Sequence, residues 1–352
     1  MNKRIKLSAL LSALWITITI AAPASHMIQV RWVQSVPGDL WHDGGTCQVD
    51  RFSPDVSNDV LVTNYLDQEI LGFGGCFGEL GWDALQQLTP AERKRVLREL
   101  FDPNQGLRFS YCRLPIGAND FAREWYSYDE VPGDFKLEHF SIDHDKQGLI
   151  PYVKAALKLN PQLKLWASPW SPPVWMKTNG SYASRLSSDS VDNTGNRLQV
   201  DQMKQDARYL KAYAKYLSKY LKAYRKQGIK ISMIMPQNEP YTWNVWPNCL
   251  WSQPAFGRFI SDYLAPEITK NNTGVKIWAG TLNTDNLDHI EALVTNPHYR
   301  VAGAGVQWEG RNAVAKIHKN HPTLQLMCTE NECGSGTFDW AAAEHTFSLM
   351  RD

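Results

Sequence analysis

From Ile70 onward the chain alternates strand-like and helix-like stretches almost without interruption, and this alternation constrains the fold more than any other feature. Ile70–Phe77 reads as a strand with a Gly-rich end, and Thr89-Pro90 opens a helix running to Phe101, with a hydroxyl at the N-cap and proline at N1. Further strands are expected at Arg108–Ile116, Leu163–Ser168, Lys230–Met235, Val275–Gly280, Val301–Val306 and Leu324–Thr329. Helices are expected at Leu149–Leu159, Val200–Gln227, Ala255–Thr269, Leu287–Val294, Ala313–Asn320 and from Trp340 to Met350. In the longest of these, Met203, Ala207, Leu210, Ala214, Leu217, Leu221 and Tyr224 share one face and Gly228 ends the helix; its Lys and Tyr repeats read as solvated face and packing. Seven βα units over roughly 280 residues point to a (β/α)8 TIM barrel, an α/β fold that typically occupies ~250 residues. A doubly wound open sheet is the alternative, but Gly72, Gly74 and Gly75 do not form a phosphate-binding fingerprint in the right context. No eighth unit precedes Asp352, so the expectation is a barrel lacking its eighth unit in this chain, truncated or left open at that seam.

The stretch before the barrel divides in two. Lys3, Arg4 and Lys6 precede an apolar run from Leu7 to Ala22, followed by Ala22-Pro23-Ala24, the layout of a secretory signal peptide over residues 1–24. An uncleaved anchor is the competing reading; the run is short and ends in a cleavage signature. Residues 25–69 carry short β-like runs, Ile28–Val33 and Val60–Leu66, between Gly and Pro turns. Export makes the chain secreted or extracytoplasmic, lysosomal or periplasmic according to the organism, and permits disulfides among Cys47, Cys76, Cys112, Cys249, Cys328 and Cys333. With a core this large most of the six are expected as buried thiols, with room for one or two bridges. Asn179-Gly180-Ser181 and Asn271-Asn272-Thr273 are N-glycosylation acceptors if the secretory route is eukaryotic.

Charge excludes one broad class of partner. With 37 basic and 36 acidic residues the formal net charge is +1, too balanced for a general electrostatic grip on nucleic acid. No apolar run outside the N-terminus reaches the length of a membrane span, so no integral membrane segment is expected after signal cleavage. The nine His and six Cys show no ligand spacing, so neither a metal nor another cofactor is expected. Fourteen Trp and fourteen Tyr fit either a large core or a sugar-stacking cleft.

In a barrel of this type chemistry gathers at the C-terminal ends of strands. The fourth strand ends in Gln237-Asn238-Glu239-Pro240, and the seventh in Thr329-Glu330-Asn331-Glu332. Each delivers a carboxylate directly after an apolar run, where a solvated acid is not expected. Two opposed carboxyls are the minimum equipment for cleaving a glycosidic bond: one protonates the leaving oxygen and the other attacks or stabilises the oxocarbenium-like centre.

At these residues the chain resembles glycoside hydrolase family 30, in its glucosylceramidase-like branch, over about Gln68 to Gly334. The matching stretches are Gly72-Phe73-Gly74-Gly75, Arg113-Leu114-Pro115-Ile116-Gly117 with Asn119-Asp120-Phe121, and Tyr126-Ser127-Tyr128-Asp129. The most specific is Ala167-Ser168-Pro169-Trp170-Ser171-Pro172-Pro173-Val174-Trp175-Met176, continuing Lys177-Thr178-Asn179-Gly180. Gln237-Asn238-Glu239-Pro240 and Thr329-Glu330 complete the set in order.

The resemblance implies a retaining β-glycosidase with Glu239 as acid/base and Glu330 as nucleophile. Asn238 would hold the sugar 2-hydroxyl, and Asp120 and Trp170 the distal hydroxyls. It also implies a side β-sandwich, to which residues 25–69 would give the first strands. Substrates would be β-glucosides, glucosylceramide-like glycolipids or β-1,6-glucan. A catalytically inactive carbohydrate-binding remnant is the alternative, because the eighth unit is not in the chain. Trp308 fits the branch's His-Trp pair at the end of the sixth strand, whereas Gln307 departs from it.

Duller roles stay open for several residues. Glu332, two positions beyond Glu330, faces the same side in extended chain and competes for the nucleophile's role or supports it. Asp120 could cap the following segment, Trp170 could be packing, and Arg113 braces carboxylates or touches substrate. Glu79 and Glu124 read as solvated acids.

Overall fold

The computed structural model describes residues 27–49, 65–66, 69–186, 200–271, 274–331, 337 and 339–351. The proposed signal peptide, most of Val60–Leu66, Glu332 and Cys333 therefore lie outside the described residues. The chain divides into two compact units, Met1–Glu69 and Ile70–Asp352. In the first, β1 (Ile28–Val36) and β2 (Asp39–Val49) form an antiparallel ribbon. Its turn rests on Gly38, whose φ of +84° lies in the left-handed region that side chains resist.

The second unit opens with α1 (Glu79–Gln87), which the sequence reading did not resolve, and α2 (Pro90–Phe101). Thr89 and Glu92 close a reciprocal capping box, each satisfying a backbone N–H of the other, and this fixes where α2 begins. Strand and helix then alternate: β3 (Tyr111–Ile116), α3 (Leu149–Leu159), β4 (Lys164–Pro169), α4 (Ala207–Lys226) and β5 (Ile231–Ile234). Next come α5 (Gln253–Arg258), a π-helical turn (Phe259–Leu264), α6 (Ala265–Asn271), β6 (Lys276–Ile277) and β7 (Ala279–Leu282). The series ends with α7 (Leu287–Val294), β8 (Gly303–Gln307), α8 (Val314–Asn320), β9 (Gln325–Glu330) and α9 (Trp340–Arg351).

The named strands of this unit all pair parallel, in the orders β3-β4-β5-β6 and β7-β8-β9. The expected fifth strand is split at Trp278, but hydrogen bonds carry the wall across the break. Trp278 N donates to Ile234 O at 3.0 Å, Thr281 N to Gln237 O at 2.7 Å, and Ala302 N to Ile277 O at 2.8 Å.

The expected first strand departs further. Ile70–Phe77 lies beside β3 as extended chain with one parallel bridge, Cys76 to Arg113, plus bonds such as Arg113 N to Gly75 O at 3.0 Å. It approaches so closely that a Cβ on Gly74 would sit 1.6 Å from Tyr111 O, which only glycine permits.

Three further expectations are corrected. The strand expected from Arg108 begins at Tyr111, because Arg108 takes a left-handed φ of +50°. The helix expected from Val200 begins at Ala207: Asp206 caps it through Arg208 N, while Met203 bridges to Lys177 in extended chain. Five described cysteines are free, and only Cys112 and Cys249 are buried, so the expectation of mostly buried thiols holds for two of them.

Successive strand residues face opposite sides, and the core follows that alternation. Cys112, Leu114, Ile116, Leu165 and Ala167 face the helices and join the main core with the fully buried Tyr213, Tyr216, Tyr220 and Tyr224 of α4. The inward residues Trp166, Met233, Met235 and Trp278 form a smaller second cluster inside the wall. It provides the floor on which the strand-end polar groups sit.

Candidate active site

The C-terminal ends of β3, β4, β5 and β8 converge on one buried polar cluster, and Arg113 is its hub. Inward-facing on β3 and almost fully buried, it stacks its guanidinium 4.0 Å from the Trp170 ring centroid and 5.0 Å from that of Trp166. Its N–H groups reach in three directions. Nε and Nη2 donate to Ser168 Oγ at 3.0 and 2.8 Å, Nη2 donates to Asn238 Oδ1 at 2.6 Å, and Nη1 pairs with Glu330 Oε2 at 2.7 Å. Of the two readings left open by the sequence, bracing of carboxylates is the one these contacts match.

Asn238 has its orientation decided by this crowding. Its Oδ1 accepts from Arg113, from Thr281 Oγ1 at 3.2 Å and from Gln307 Nε2 at 3.3 Å. With the oxygen so occupied, the amide N–H groups are left for a ligand.

Glu239 follows in a left-handed backbone conformation, φ +43°, unusual for a non-glycine residue and costly unless the surroundings hold it. They do. Glu239 N donates to Thr281 O at 3.1 Å, and its carbonyl accepts from Asn248 Nδ2 at 3.1 Å. Asn248 is itself fixed by Gln237, and its own carbonyl accepts from the buried Lys177 ammonium at 2.5 Å.

Gln307, at the end of β8, lies between the two glutamates. Its Nε2 is 2.9 Å from Glu239 Oε1 and 3.5 Å from Glu330 Oε2. Thr329 Oγ1 lies 3.0 Å from Val306 O and 2.9 Å from Gln307 Oε1, and the NH2 end of Gln307 faces the carboxylates. One amide nitrogen thus touches both acids, so Glu239 and Glu330 share a pocket.

The two acids differ electrostatically. Glu239 is pushed up to about 7, first by burial; the Gln307 hydrogen bond and Arg113 pull down, while Glu330 and Asp120 push up. Glu330 has the Arg113 guanidinium against it and keeps 32% of its side chain exposed. Asp120 keeps much of its surface open, yet partial desolvation and then the Glu330 charge push it to about 6, against Arg113 and the Trp170 hydrogen bond.

The structure thus brings together Arg113, Asn238, Glu239, Gln307 and Glu330, with Asp120 and Trp170 at their side. Trp308 follows Gln307 directly, at φ +50° and with 36% of its surface exposed. Glu332 lies outside the described residues.

One expectation about a polar residue elsewhere is overturned. Glu79 is not solvated: it is fully buried, with Oε1 2.9 Å from His144 Nε2 and Oε2 accepting from Arg123 N at 3.1 Å. The Asn179 sequon has its amide nitrogen committed, Nδ2 donating to Ala183 O at 2.8 Å, and Asn271 Nδ2 donates to Glu267 Oε1 at 2.8 Å. Among the described residues no group of three or more His, Cys, Asp or Glu is placed to hold a metal, and no helix is long and apolar enough to cross a membrane.

Sequence reasoning missed Ser168, Thr281, Asn248 and Thr329 as parts of this cluster. Ser168 stands in the quoted strand-end motif, inward like Arg113, and could have been found by that alternation. Thr281 and Asn248 carry no local signal, since only the closing of the wall brings them to Asn238 and Glu239.

Comparison with known proteins gives the family. The Glycosyl hydrolase family 30 TIM-barrel domain matches residues 70–348. Putative glucosylceramidase 1 of Caenorhabditis elegans is 31% identical over 308 residues, covering 81% of this chain and 56% of that protein. Lysosomal acid glucosylceramidase of Mus musculus is 28% identical, covering 76% of this chain and 52% of its own. The solved endo-beta1,6-glucanase BT3312 superposes with a TM-score of 0.67 at 26% identity, covering 81% of this chain and 62% of that one. The chain spans about half the length of the curated relatives it matches.

Proposed function

Since the chain belongs to glycosyl hydrolase family 30, we propose that it hydrolyses β-glucosidic bonds by double displacement on Glu239 and Glu330. The observation that carries this reading is the pair of unlike carboxyls on one amide. Glu239 is pushed up to about 7, so it holds a proton at acidic to neutral pH, and Glu330 lies against Arg113 within reach of the same Gln307 nitrogen.

In the first step Glu330 attacks the anomeric carbon, the glycosidic C–O bond breaks, and the Glu239 proton passes to the departing oxygen. In the second, ionised Glu239 takes a proton from water, whose oxygen displaces Glu330 and regenerates both groups. Asn238 donates to the 2-hydroxyl, in an orientation fixed by the three donors on its oxygen. Asp120 and the Trp170 indole hold the far side of the sugar, and Trp308 offers a ring to whatever follows the scissile bond. Glu332 would support the nucleophile from two residues along.

The named glucosylceramidases favour a glucosylceramide-like glycolipid, delivered through export directed by residues 1–24, with residues 25–69 contributing strands to a side sheet. The likeness to an endo-β-1,6-glucanase, together with Gln307 at a position where the glucosylceramidase branch carries His, favours β-1,6-glucan as the second reading.

The test is turnover of an aryl β-glucoside by wild type, Glu239→Gln and Glu330→Gln, followed by glucosylceramide and β-1,6-glucan as competing substrates. Loss of turnover in both variants supports the assigned roles. Variants matching wild type would remove them. A wild type that binds glucoside but never releases the aryl alcohol would instead make this chain a binding remnant.

A further inference from the structure

A buried carboxylate apart from the two acids is linked by hydrogen bonds to the turn that carries Asp120. Asp145 is fully buried behind the wall and accepts three tyrosine hydroxyls. Tyr126 donates to Oδ1 at 2.6 Å, and Tyr128 and Tyr224 donate to Oδ2 at 2.7 and 2.5 Å. Three O–H donors on one carboxylate compensate a group that would otherwise be very costly inside a core.

Of those three hydroxyls, only that of Tyr128 also bonds the turn toward the site. Tyr128 Oη also accepts from Gly117 N at 3.2 Å. Gly117 starts the turn that carries Asp120, at φ +71°, and a Cβ there would lie 3.0 Å from Tyr126 O. Ala118 N donates to Tyr126 O at 2.7 Å, Asn119 Nδ2 to Gly117 O at 2.9 Å, and Phe121 N to Asn119 Oδ1 at 2.9 Å. The turn from Gly117 to Phe121 is therefore pinned at its start to Tyr126 and Tyr128, and those two are pinned to Asp145.

The direction of the protons matters. A phenol has one proton, and Tyr128 gives its own to Asp145, so a lone pair of Oη must face the Gly117 N–H. A carboxylate enforces this because it can only accept. An amide at position 145 could turn its NH2 toward Tyr128, release the phenol proton, and set it against the Gly117 donor.

We propose that Asp145, acting through Tyr128, is a positioning residue that sets the Gly117–Phe121 turn and thereby the hold of Asp120 on the sugar. This rests on the proposed role of Asp120 in binding substrate. Tyr224 supplies the built-in control: it gives Asp145 Oδ2 a short bond of its own from α4 but, among the described residues, makes no hydrogen bond to Gly117.

The experiment compares Tyr128→Phe, Tyr224→Phe, Asp145→Asn and Asp120→Asn with wild type. Steady-state kinetics on an aryl β-glucoside are read with the Kd of deoxynojirimycin by calorimetry and with the urea midpoint. Tyr128→Phe and Asp145→Asn are expected to raise KM and the inhibitor Kd about 5- to 10-fold with kcat within about threefold, the size of one misplaced hydrogen bond. Tyr224→Phe is expected to lower the urea midpoint as Tyr128→Phe does, while moving KM and Kd less than about twofold. In the double variant Tyr128→Phe/Asp120→Asn the Tyr128 effect should largely vanish, because there is no carboxylate left to position. Equal KM and Kd changes in Tyr128→Phe and Tyr224→Phe, or none in either, overturn the inference while leaving the role of Asp120 intact. An Asp120→Asn protein that binds as wild type overturns that role itself, and the inference with it. Should Asp145→Asn fail to fold, the two phenylalanine variants decide the matter alone.

Discussion

The strands that bring Arg113, Ser168 and Asn238 to the site and the strand that brings Glu330 are all parallel but lie in different sheets, and their surroundings differ sharply. Along β3 and β4 every residue but the first is buried, whereas on β9 no residue is: two of its six positions are exposed and four half-buried. Glu239 inherits the first environment and Glu330 the second. The acid is held by a dense set of backbone and amide bonds, and desolvation shapes its proton affinity. The candidate nucleophile depends chiefly on Arg113, which reaches across from β3. A site can thus draw one group from the rigid part of a fold and another from a more open part, provided a buried cation spans the two.

The comparison breaks most visibly in the chemistry. Glu330→Gln and Glu239→Gln are each expected to lower turnover of an aryl β-glucoside by at least about 10²-fold. The Glu239 loss should shrink as the leaving phenol becomes more acidic and needs less protonation, and the Glu330 loss should not. Rates across a series of substituted phenyl glucosides check this, and an identical dependence for both variants would falsify the division of roles.

Next in size is the brace between the two regions. Arg113→Met removes the guanidinium from Ser168, Asn238 and Glu330 and should destabilise the barrel unit by about 2–4 kcal/mol, because breaking a buried ion pair abandons its partner. The lower part of that range applies if the partly exposed Glu330 rehydrates. Urea unfolding measures it.

The burial of Glu239 gives a signed prediction. Glu239 rises from 4.5 to about 7 on folding, so the native state holds a proton that the unfolded chain releases. Its contribution to stability is therefore intact below about pH 4.5 and erodes as pH climbs toward 7. Glu239→Gln keeps the acceptor for Gln307 and removes the charge. It should match wild type near pH 4 and exceed it by about 1–3 kcal/mol above pH 7, as read from the pH dependence of the urea midpoint. A constant difference across that range would remove burial as the cause of the shift.

The smallest effect sharpens the role of the shared amide. Because the Gln307 hydrogen bond lowers the proton affinity of Glu239, Gln307→Leu should move the alkaline limb of the rate profile upward, by about one pH unit or less. A downward move would mean that Gln307 stabilises the protonated acid instead.

Much of this was legible before any coordinates. The helices Leu149–Leu159 and Leu287–Val294 fall where their apolar spacing places them, and α2 starts where Thr89 and Pro90 announce it, because caps and periodicity are local properties. Glu239 and Glu330 could be picked out because a carboxylate directly after an apolar strand is anomalous wherever that strand ends up. The first stave was misjudged, since Gly74 allows a backbone approach too close for regular pairing, and the sequence shows a glycine without showing what it meets. Glu79 was misjudged for a related reason: an isolated acid reads as solvated, and only packing supplies the His144 and Arg123 that bury it.

What the sequence determined by itself was the alternation of strand and helix and the chemistry offered at each strand end, since both depend on neighbours a few residues away. What only the tertiary structure decided was the inequality of the two acids. Burial, the reach of Arg113 across 217 positions of chain, and the amide of Gln307 between them exist only once distant strand ends have met.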